Sequence, residues 1–597
     1  MRRKSIAALF LVIGLAVSGC GSQAKQDDRE GGADVSTIAA DEELVSGISD
    51  MFSNRDFEIG YDESGSARIE LNKTTAVCSS DAVKILGSTV TITDEGTYVI
   101  TGTLDDGMII VDADKEDKTQ LVFDNVSINS GTCAPVYVRQ ADKVFITLAQ
   151  DSVNTLSNGG IFEPIDDNNI DAVIFSKEDL TLNGAGSLKI DSPAGHGIVS
   201  KDELTITSGT YEISSASHAL DGKDSICIAN AVFTITSGKD GIHAEHDEDT
   251  ELGFAYIESG TFEIAAGGDG VSAGAYMRIL GGNFDIVTGG GSENGEQHSS
   301  DFQDMGGGRG GFGGPGMGVK PQEETAEDGE SMKGIKASGN LTISGGTFKL
   351  DSADDAVHSN EDLTIEGGTF EIASGDDGFH ADETLSISSG VISVSESYEG
   401  LEGLSLDISG GEIVLTASDD GLNAAGGIDQ SGFGGHRGGD RFGGMGGMMP
   451  SGSDSDSYIK ITGGVIDITA SGDGIDANGS LDISGGTVTV CGPTRGDTAV
   501  LDYDSTGTIS GGTFVGTGSY MMAQTLSSTT EQGVISVSVG SQKAGTEITL
   551  EDADGDAVIT HTPELDYAIV ILSSPDIVKG ETYLITVGEA SGEFTAQ

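Results

Sequence analysis

The chain has 597 residues, of which 97 are Asp or Glu and 30 are Lys or Arg, for a net charge of −67. That balance excludes nucleic acid and anionic lipid headgroups as electrostatically favoured partners, and it favours bound cations. Glycine at 92 against proline at 9 means turn glycine, not collagen or a proline-rich linker.

The first element is a leader. Arg2, Arg3 and Lys4 precede a short apolar run from Ile6 to Val17, which ends Val17-Ser18-Gly19-Cys20. This ending resembles a bacterial lipobox, and the resemblance implies cleavage before Cys20 and acylation of Cys20. The chain is then exported and lipid-anchored to the cell membrane, facing outside, since paired acyl chains hold stably. Residues 1–20 are the signal peptide, and the polar, acidic residues 21–45 read as a flexible tether. No other stretch approaches the roughly 20 apolar residues of a membrane span. Cys78, Cys133, Cys227 and Cys491 are dispersed, with no zinc spacing and no readable disulfide pairing, and Cys227 is expected to fill a core position.

Residues 46–105 read as an N-terminal β cap with the first strands. Residues 106–520 are dominated by repetition. Leu363-Thr-Ile365, Thr369-Phe-Glu-Ile372 and Gly378-Phe-His-Ala381 alternate with period two, and Gly367-Gly368, Ser374-Gly375 and Asp377-Gly378 are turns between them. Three short strands and three turns make a coil of 22 residues, repeated from Ile343 to Glu399. No helical period interrupts them. The predicted fold is therefore all-β: a right-handed, single-stranded parallel β-helix with inward Ile, Leu and Phe stacked coil on coil. Two Gly/Met-rich inserts, 289–332 and 426–457, are read as leaving near one edge, either as tolerated loops or as flaps beside a polymer. Residues 521–597 lose the repeat and read as a small C-terminal antiparallel β module.

Twelve residues after one isoleucine of each coil, the chain keeps placing a carboxylate. This first row runs His196, His218, Asp240, Asp269, Lys333, Asp355, Asp377, Glu399, Asp420 and Asp473, with Asp354, Asp376 and Asp419 just before three of them. Carboxylates stacked about 4.8 Å apart repel by about 1 kcal/mol in water, and by about 3.5 kcal/mol at an effective dielectric near 20. A cation midway would relieve this, at calcium–oxygen distances of about 2.3–2.6 Å. Several calcium ions are expected on Asp240, Asp269, Asp354, Asp355, Asp376, Asp377, Glu399, Asp419, Asp420 and Asp473, with thiolate and paired-histidine ligation absent. The alternative is that Asp-Gly serves the turns for backbone reasons. A second row lies three residues later, outward on the next strand: Asp221, His243, Ser272, Lys336, His358, His380, Glu402, Asn423 and Asp476. A polar strip of that length suits an extended polysaccharide, or is simply a solvated face.

Gly96-Thr-Tyr-Val-Ile-Thr-Gly-Thr-Leu104, Ala141-Asp-Lys-Val-Phe-Ile-Thr-Leu148, Ile170-Asp-Ala-Val-Ile-Phe-Ser-Lys-Glu-Asp-Leu180 and His196-Gly-Ile-Val-Ser-Lys201 resemble a family of bacterial surface lipoproteins with a carbohydrate-binding domain. The Ser-Gly-Gly-Thr-Phe units and Gly/Met inserts fit the same family. The resemblance implies a pectate-lyase-like β-helix, calcium, and affinity for cellulose or an acidic plant polysaccharide such as polygalacturonate. The Asp-Gly turns that carry over are Asp240, Asp269, Asp377, Asp420 and Asp473, whereas His196 and His218 stand where calcium is less welcome. The expected function is calcium-dependent, non-catalytic polysaccharide binding by a monomer. One alternative is a calcium-dependent lyase with Lys333 or Lys336 as base. Another is an adhesin or structural surface protein.

Overall fold

The computed structural model describes residues 51–246, 248–295, 331–424, 457–494 and 498–597. The leader, Cys20, the tether and most of both Gly/Met-rich inserts lie outside the described residues.

Each coil contributes one strand to each of three parallel sheets. Leu363–Ile365 belongs to sheet two and Thr369–Ser374 to sheet three, while Phe379–Ile387 opens in sheet one and turns the corner into sheet two. The next coil pairs with them in register, with Leu363 opposite Leu385, Phe370 opposite Ile392 and Phe379 opposite Leu401. Each strand thus bonds to the strand one coil away, which is the connectivity of a parallel β-helix. Sheet one runs from Thr89–Ile92 to Leu501–Tyr503.

Sheet three shows most plainly why the sequence closes into a coil. In Thr261–Ala266 the side chains of Phe262, Ile264 and Ala266 are buried, and those between them are exposed. One position of this sheet carries a column of rings: Tyr211, Phe233, Phe262, Phe284, Phe348 and Phe370. Their successive centroids lie 5.2, 5.4, 4.5, 4.8 and 4.6 Å apart, with interplanar angles of 20° or less. Each stacked pair adds about 0.5–1.5 kcal/mol beyond its burial. Glycine precedes this strand because the turn needs the left-handed region. Gly346 has φ +120°, and a Cβ there would meet the Gly282 carbonyl and the Phe348 ring at 3.0 Å.

Parallel pairing starts within residues 46–105, the segment read as a cap with the first strands. Ala67–Lys73 pairs with 98–104, and Thr89–Ile92 with 108–111. The strands Gly96–Leu104 and Lys118–Ser130 each run through two sheets without a turn dipeptide, so the period is hidden there. Antiparallel hairpins, 67–73 with 75–77 and 83–86 with 89–92, cover this end. At the other end Tyr567–Val578 inserts antiparallel between Thr513–Gly518 and Gln532–Gln542. A separate four-stranded antiparallel sheet comprises Ile548–Glu551, Ala557–His561, Thr582–Val587 and Ala590–Thr595.

A short turn, Asn54–Phe57, straps the outer face of sheet two. Asp56 is buried against Lys143 at 3.1 Å and accepts the Thr181 hydroxyl at 2.6 Å, and its carbonyl accepts the Asn183 amide and the Thr207 hydroxyl. Cys227 lies on this same outer face. It is buried, but Ile226 and Ile228 take the interior, so it does not fill the core position expected for it. All four described cysteines are unpaired thiols.

Candidate functional site

The first row stands at the turn from sheet three into sheet one, and two hydrogen-bond ladders hold it there. In the first, the residue after each row position donates its backbone N–H to the row carbonyl of the next coil: Gly334 to Asp355, Ala356 to Asp377, Gly378 to Glu399, Gly400 to Asp420 and Gly421 to Asp473, at 2.9–3.0 Å. In the second, one carboxylate oxygen accepts the row amide of the next coil. Asp240 accepts from Asp269 at 2.8 Å, Asp269 from Lys333 at 2.7 Å, Asp355 from Asp377 at 3.0 Å and Asp377 from Glu399 at 3.1 Å, and Asp420 accepts from Asp473. The aspartate is therefore the cap of the following coil, which explains its recurrence without any ion. A backbone N–H occupies the place between successive carboxylates, so a file of calcium ions along the whole row does not fit. Among the described residues, cation sites are left where the second carboxylate oxygens converge with side chains outside the ladder.

The second row is in register throughout. Asp221 is opposite His243, and the pairing continues through Ser272, Lys336, His358, His380, Glu402, Asn423 and Asp476 to Asp502. It is not an open strip. Asp221, Ser272, His358, His380 and Asn423 are buried, and His243, Lys336, Glu402 and Asp476 are half-buried. These side chains pack on one another and on the first row, which takes them out of water. His358 and His380 stack at 4.8 Å, and His218 and His243 at 4.2 Å.

The three second-row histidines share one arrangement. Nδ1 faces the carboxylate three residues earlier: His243 to Asp240 at 2.8 Å, His358 to Asp355 at 2.8 Å and His380 to Asp377 at 3.2 Å. Nε2 meets an oxygen two residues later: Glu245 at 3.3 Å, Asn360 at 3.1 Å and Asp382 at 3.1 Å. His380 Nδ1 is also 2.7 Å from Glu402. Burial opposes the charge on His243, yet Asp240 and Glu245 push it up to about 10. His358 shifts the other way, lowered by burial and by the Lys333 charge.

The row divides into three electrostatic regions. In the middle, Lys333 is only 4% exposed, with Nζ 2.8 Å from Asp354 and 2.5 Å from Asp355. Burial opposes its charge, but the two aspartates hold it well above the ordinary lysine value, and Lys333 in turn holds Asp355 well below the carboxylate range. Asp376 joins Asp354 and Asp355 in a cluster that this ammonium already serves. Lys336 reaches Ser331 at 3.2 Å and Asp269 at 3.9 Å, and burial raises Asp269 to about 6. The third region lies towards the C-terminus, around Asp420, Asp473 and Asp476. There burial, with the charge of Asp419, raises Asp420 to about 8, and burial with Asp473 raises Asp476 to about 7. Asp420, Asp473 and Asp476 bring ligand oxygens within 4.8 Å of one another. Beside them, Asn423 donates to Glu399 at 2.6 Å while its buried Oδ1 has no hydrogen-bond partner. Towards the N-terminus, His218, Asp240 and His243 form a mixed nitrogen and oxygen cluster.

Several sequence expectations change here. Paired histidines, read as absent, converge on Asp240 because residues 25 apart, His218 and His243, fall on neighbouring coils. Asp476, assigned to the second row alone, shares a cluster with Asp420 and Asp473. Asp419 stands beside Tyr398, whose phenol is pushed up by burial and by a hydrogen bond to Asp419, and is in none of the described clusters. Glu245, Asn360 and Asp382 were not anticipated, although the His-x-Glu, His-x-Asn and His-x-Asp spacing was visible. The inserts flank sheet one on opposite margins. The first interrupts the turn before Lys333, where the described chain breaks between Gly295 and Ser331, and the second follows Ala424 at the far end of the strand.

Residues 86–378 match the model of a family described as carbohydrate-binding domain-containing proteins. A carbohydrate-binding domain-containing protein of Acetivibrio thermocellus is 36% identical over 137 residues, 23% of this chain and 48% of that protein, so the chain spans about half the length of this relative. A solved structure of a polysaccharide lyase-like protein from C. thermocellum, a gadolinium derivative, aligns with 31% identity and a TM-score of 0.36, covering 38% of this chain and 92% of that one.

Proposed function

Through residues 86–378 this chain belongs to the carbohydrate-binding domain-containing family, and from that premise we propose that it is a calcium-dependent, non-catalytic polysaccharide-binding protein. The observation that carries the calcium is the cluster of Asp420, Asp473 and Asp476 beside the orphaned Asn423 oxygen. Three carboxylates this close, two of them pushed far above their ordinary range, want a cation, and an all-oxygen donor set selects a hard one. Bound calcium supplies local positive charge on a chain of net charge −67, which makes cellulose or an acidic plant polysaccharide such as polygalacturonate a compatible ligand. The half-buried His243, Lys336, Glu402 and Asp476 are the second-row groups within reach of the polymer. A lipid anchor at Cys20 would present this face outside the cell.

The contacts of Lys333 weigh against a lyase. A general base must be able to give up its proton, and Lys333 is held as an ammonium by two buried aspartates. The deciding experiment is sedimentation with insoluble cellulose and with calcium pectate, with and without chelator. Binding and melting temperature should both fall on chelation. If neither changes, the calcium-dependent reading is wrong.

A further inference from the structure

The acidic cluster does not exhaust the metal chemistry of the row. Around Asp240 the donors are of another kind. His218 Nδ1 and His243 Nδ1 lie 3.3 and 2.8 Å from the same oxygen, Asp240 Oδ2, and the two rings stack at 4.2 Å and 12°. The other oxygen, Oδ1, is committed to the amide of Asp269.

The angles separate this site from its neighbours. His358 and Asp355 approach at the same 2.8 Å and make a hydrogen bond. His243 Nδ1 does not: it is buried and makes no hydrogen bond of acceptable direction, despite the carboxylate at 2.8 Å. His218 Nδ1 accepts the Asp240 backbone N–H at a long 3.3 Å, a bond that a metal ion would displace. His243 Nδ1 and Asp240 Oδ2 thus converge without a hydrogen bond between them, with His218 Nδ1 on the same oxygen, as ligands of a common centre do. Bonds of about 2.0–2.2 Å in a tetrahedron set ligands about 3.3–3.5 Å apart. The His218 contact already has that separation, and His243 falls short of it by about half an ångström.

The surroundings supply what such a centre needs. Glu245 lies 3.3 Å from His243 Nε2 and can hold that ring while a metal ion displaces the Nδ1 proton. Lys201 is directed to Asp221 at 3.6 Å, and Asp221 also faces His196 at 3.9 Å. The three side chains are 13–17% exposed, so an ion has a path in and water can complete its shell. Two imidazoles and one carboxylate suit a borderline cation, not calcium.

We propose that His218, Asp240 and His243 bind one divalent transition-metal ion of the zinc class, independently of any calcium held by Asp420, Asp473 and Asp476. The test is a calorimetric titration of zinc chloride into the untagged, metal-stripped full chain in excess calcium. One saturable site that calcium does not displace is expected. His218→Ala and His243→Ala should each weaken it by more than about 100-fold, and Glu245→Gln by about 10–100-fold, the usual effect of losing an outer partner of a ligating histidine. Asp476→Asn should leave it unchanged. Absence of saturable binding, or binding that survives in both histidine variants, overturns the proposal. Should those variants fail to fold by circular dichroism, copper(II) loaded into the unaltered chain gives the answer. Electron paramagnetic resonance must then show coupling to two imidazole nitrogens, and a spectrum without them overturns it equally.

Discussion

Replacing Lys333 by methionine removes the ammonium that sits between Asp354 and Asp355 and leaves the apolar stem in place. Each contact, at 2.8 and 2.5 Å, is worth about 6 kcal/mol at an effective dielectric near 20. Against this stands the cost of desolvating the ions, several kcal/mol for each. The net value of the ion pair is small, but removing one member leaves a fully buried Asp355 carboxylate uncompensated, which costs about 3–5 kcal/mol. Urea unfolding at pH 7, followed by circular dichroism, should show a loss of that size, and adding Asp355→Asn should recover most of it. The pH dependence gives an independent sign. In the parent protein Asp355 is held below its ordinary value, so its contribution is complete above about pH 4 and is lost as the pH falls further. Without the ammonium the buried carboxyl moves above its ordinary value, so the penalty should shrink as the pH drops from 7 towards 5. His358, 2.8 Å away, reinforces this by taking up a proton. A variant within about 0.5 kcal/mol of the parent, as surface substitutions are, or a penalty that grows on acidification, would refute the assignment of Lys333 as counter-ion.

Calcium at 100 times its dissociation constant should stabilise the chain by about 2.7 kcal/mol, and scanning calorimetry of Asp476→Asn should show most of that increment gone. Asp56→Asn should release the strap at a cost of about 2–3 kcal/mol, seen as faster proteolysis around residues 51–58 with the coils intact. Burial works against the Asp56 charge, but Thr181, Ser53 and Lys143 hold its carboxyl below the ordinary value, so the strap should also loosen as the pH falls below about 4. Phe348→Ala interrupts the ring column and should cost about 3–5 kcal/mol by chemical denaturation.

The coil was legible because its determinants repeat. An isoleucine, a turn glycine and a carboxylate at constant intervals placed Lys336, His358, His380 and Glu402 on successive coils, and they pair in that order. The register was readable even across the first insert, where Ser272 faces Lys336, since the marks on either side fix the phase. Three features were not legible. The capture of a backbone amide by each aspartate joins residues one coil apart, and periodicity cannot separate that role from a ligand role. The direction of Nδ1 and Nε2 in His243, His358 and His380 depends on side-chain rotamers. The convergence of His218 and His243 joins the first row of one coil to the second row of the next, a pairing that neither row shows by itself.

Sheet three does not end on a free edge, because Tyr567–Val578 closes it with a strand of opposite direction. An antiparallel strand cannot template another parallel coil, so a second molecule cannot continue the solenoid there. The C-terminal strands thus act as a terminator that keeps an otherwise extendable lattice at a single length. Stripped of them, Thr513–Gly518 would offer the same parallel edge that every internal strand offers its neighbour, and the chain would become a monomer unit for head-to-tail fibres.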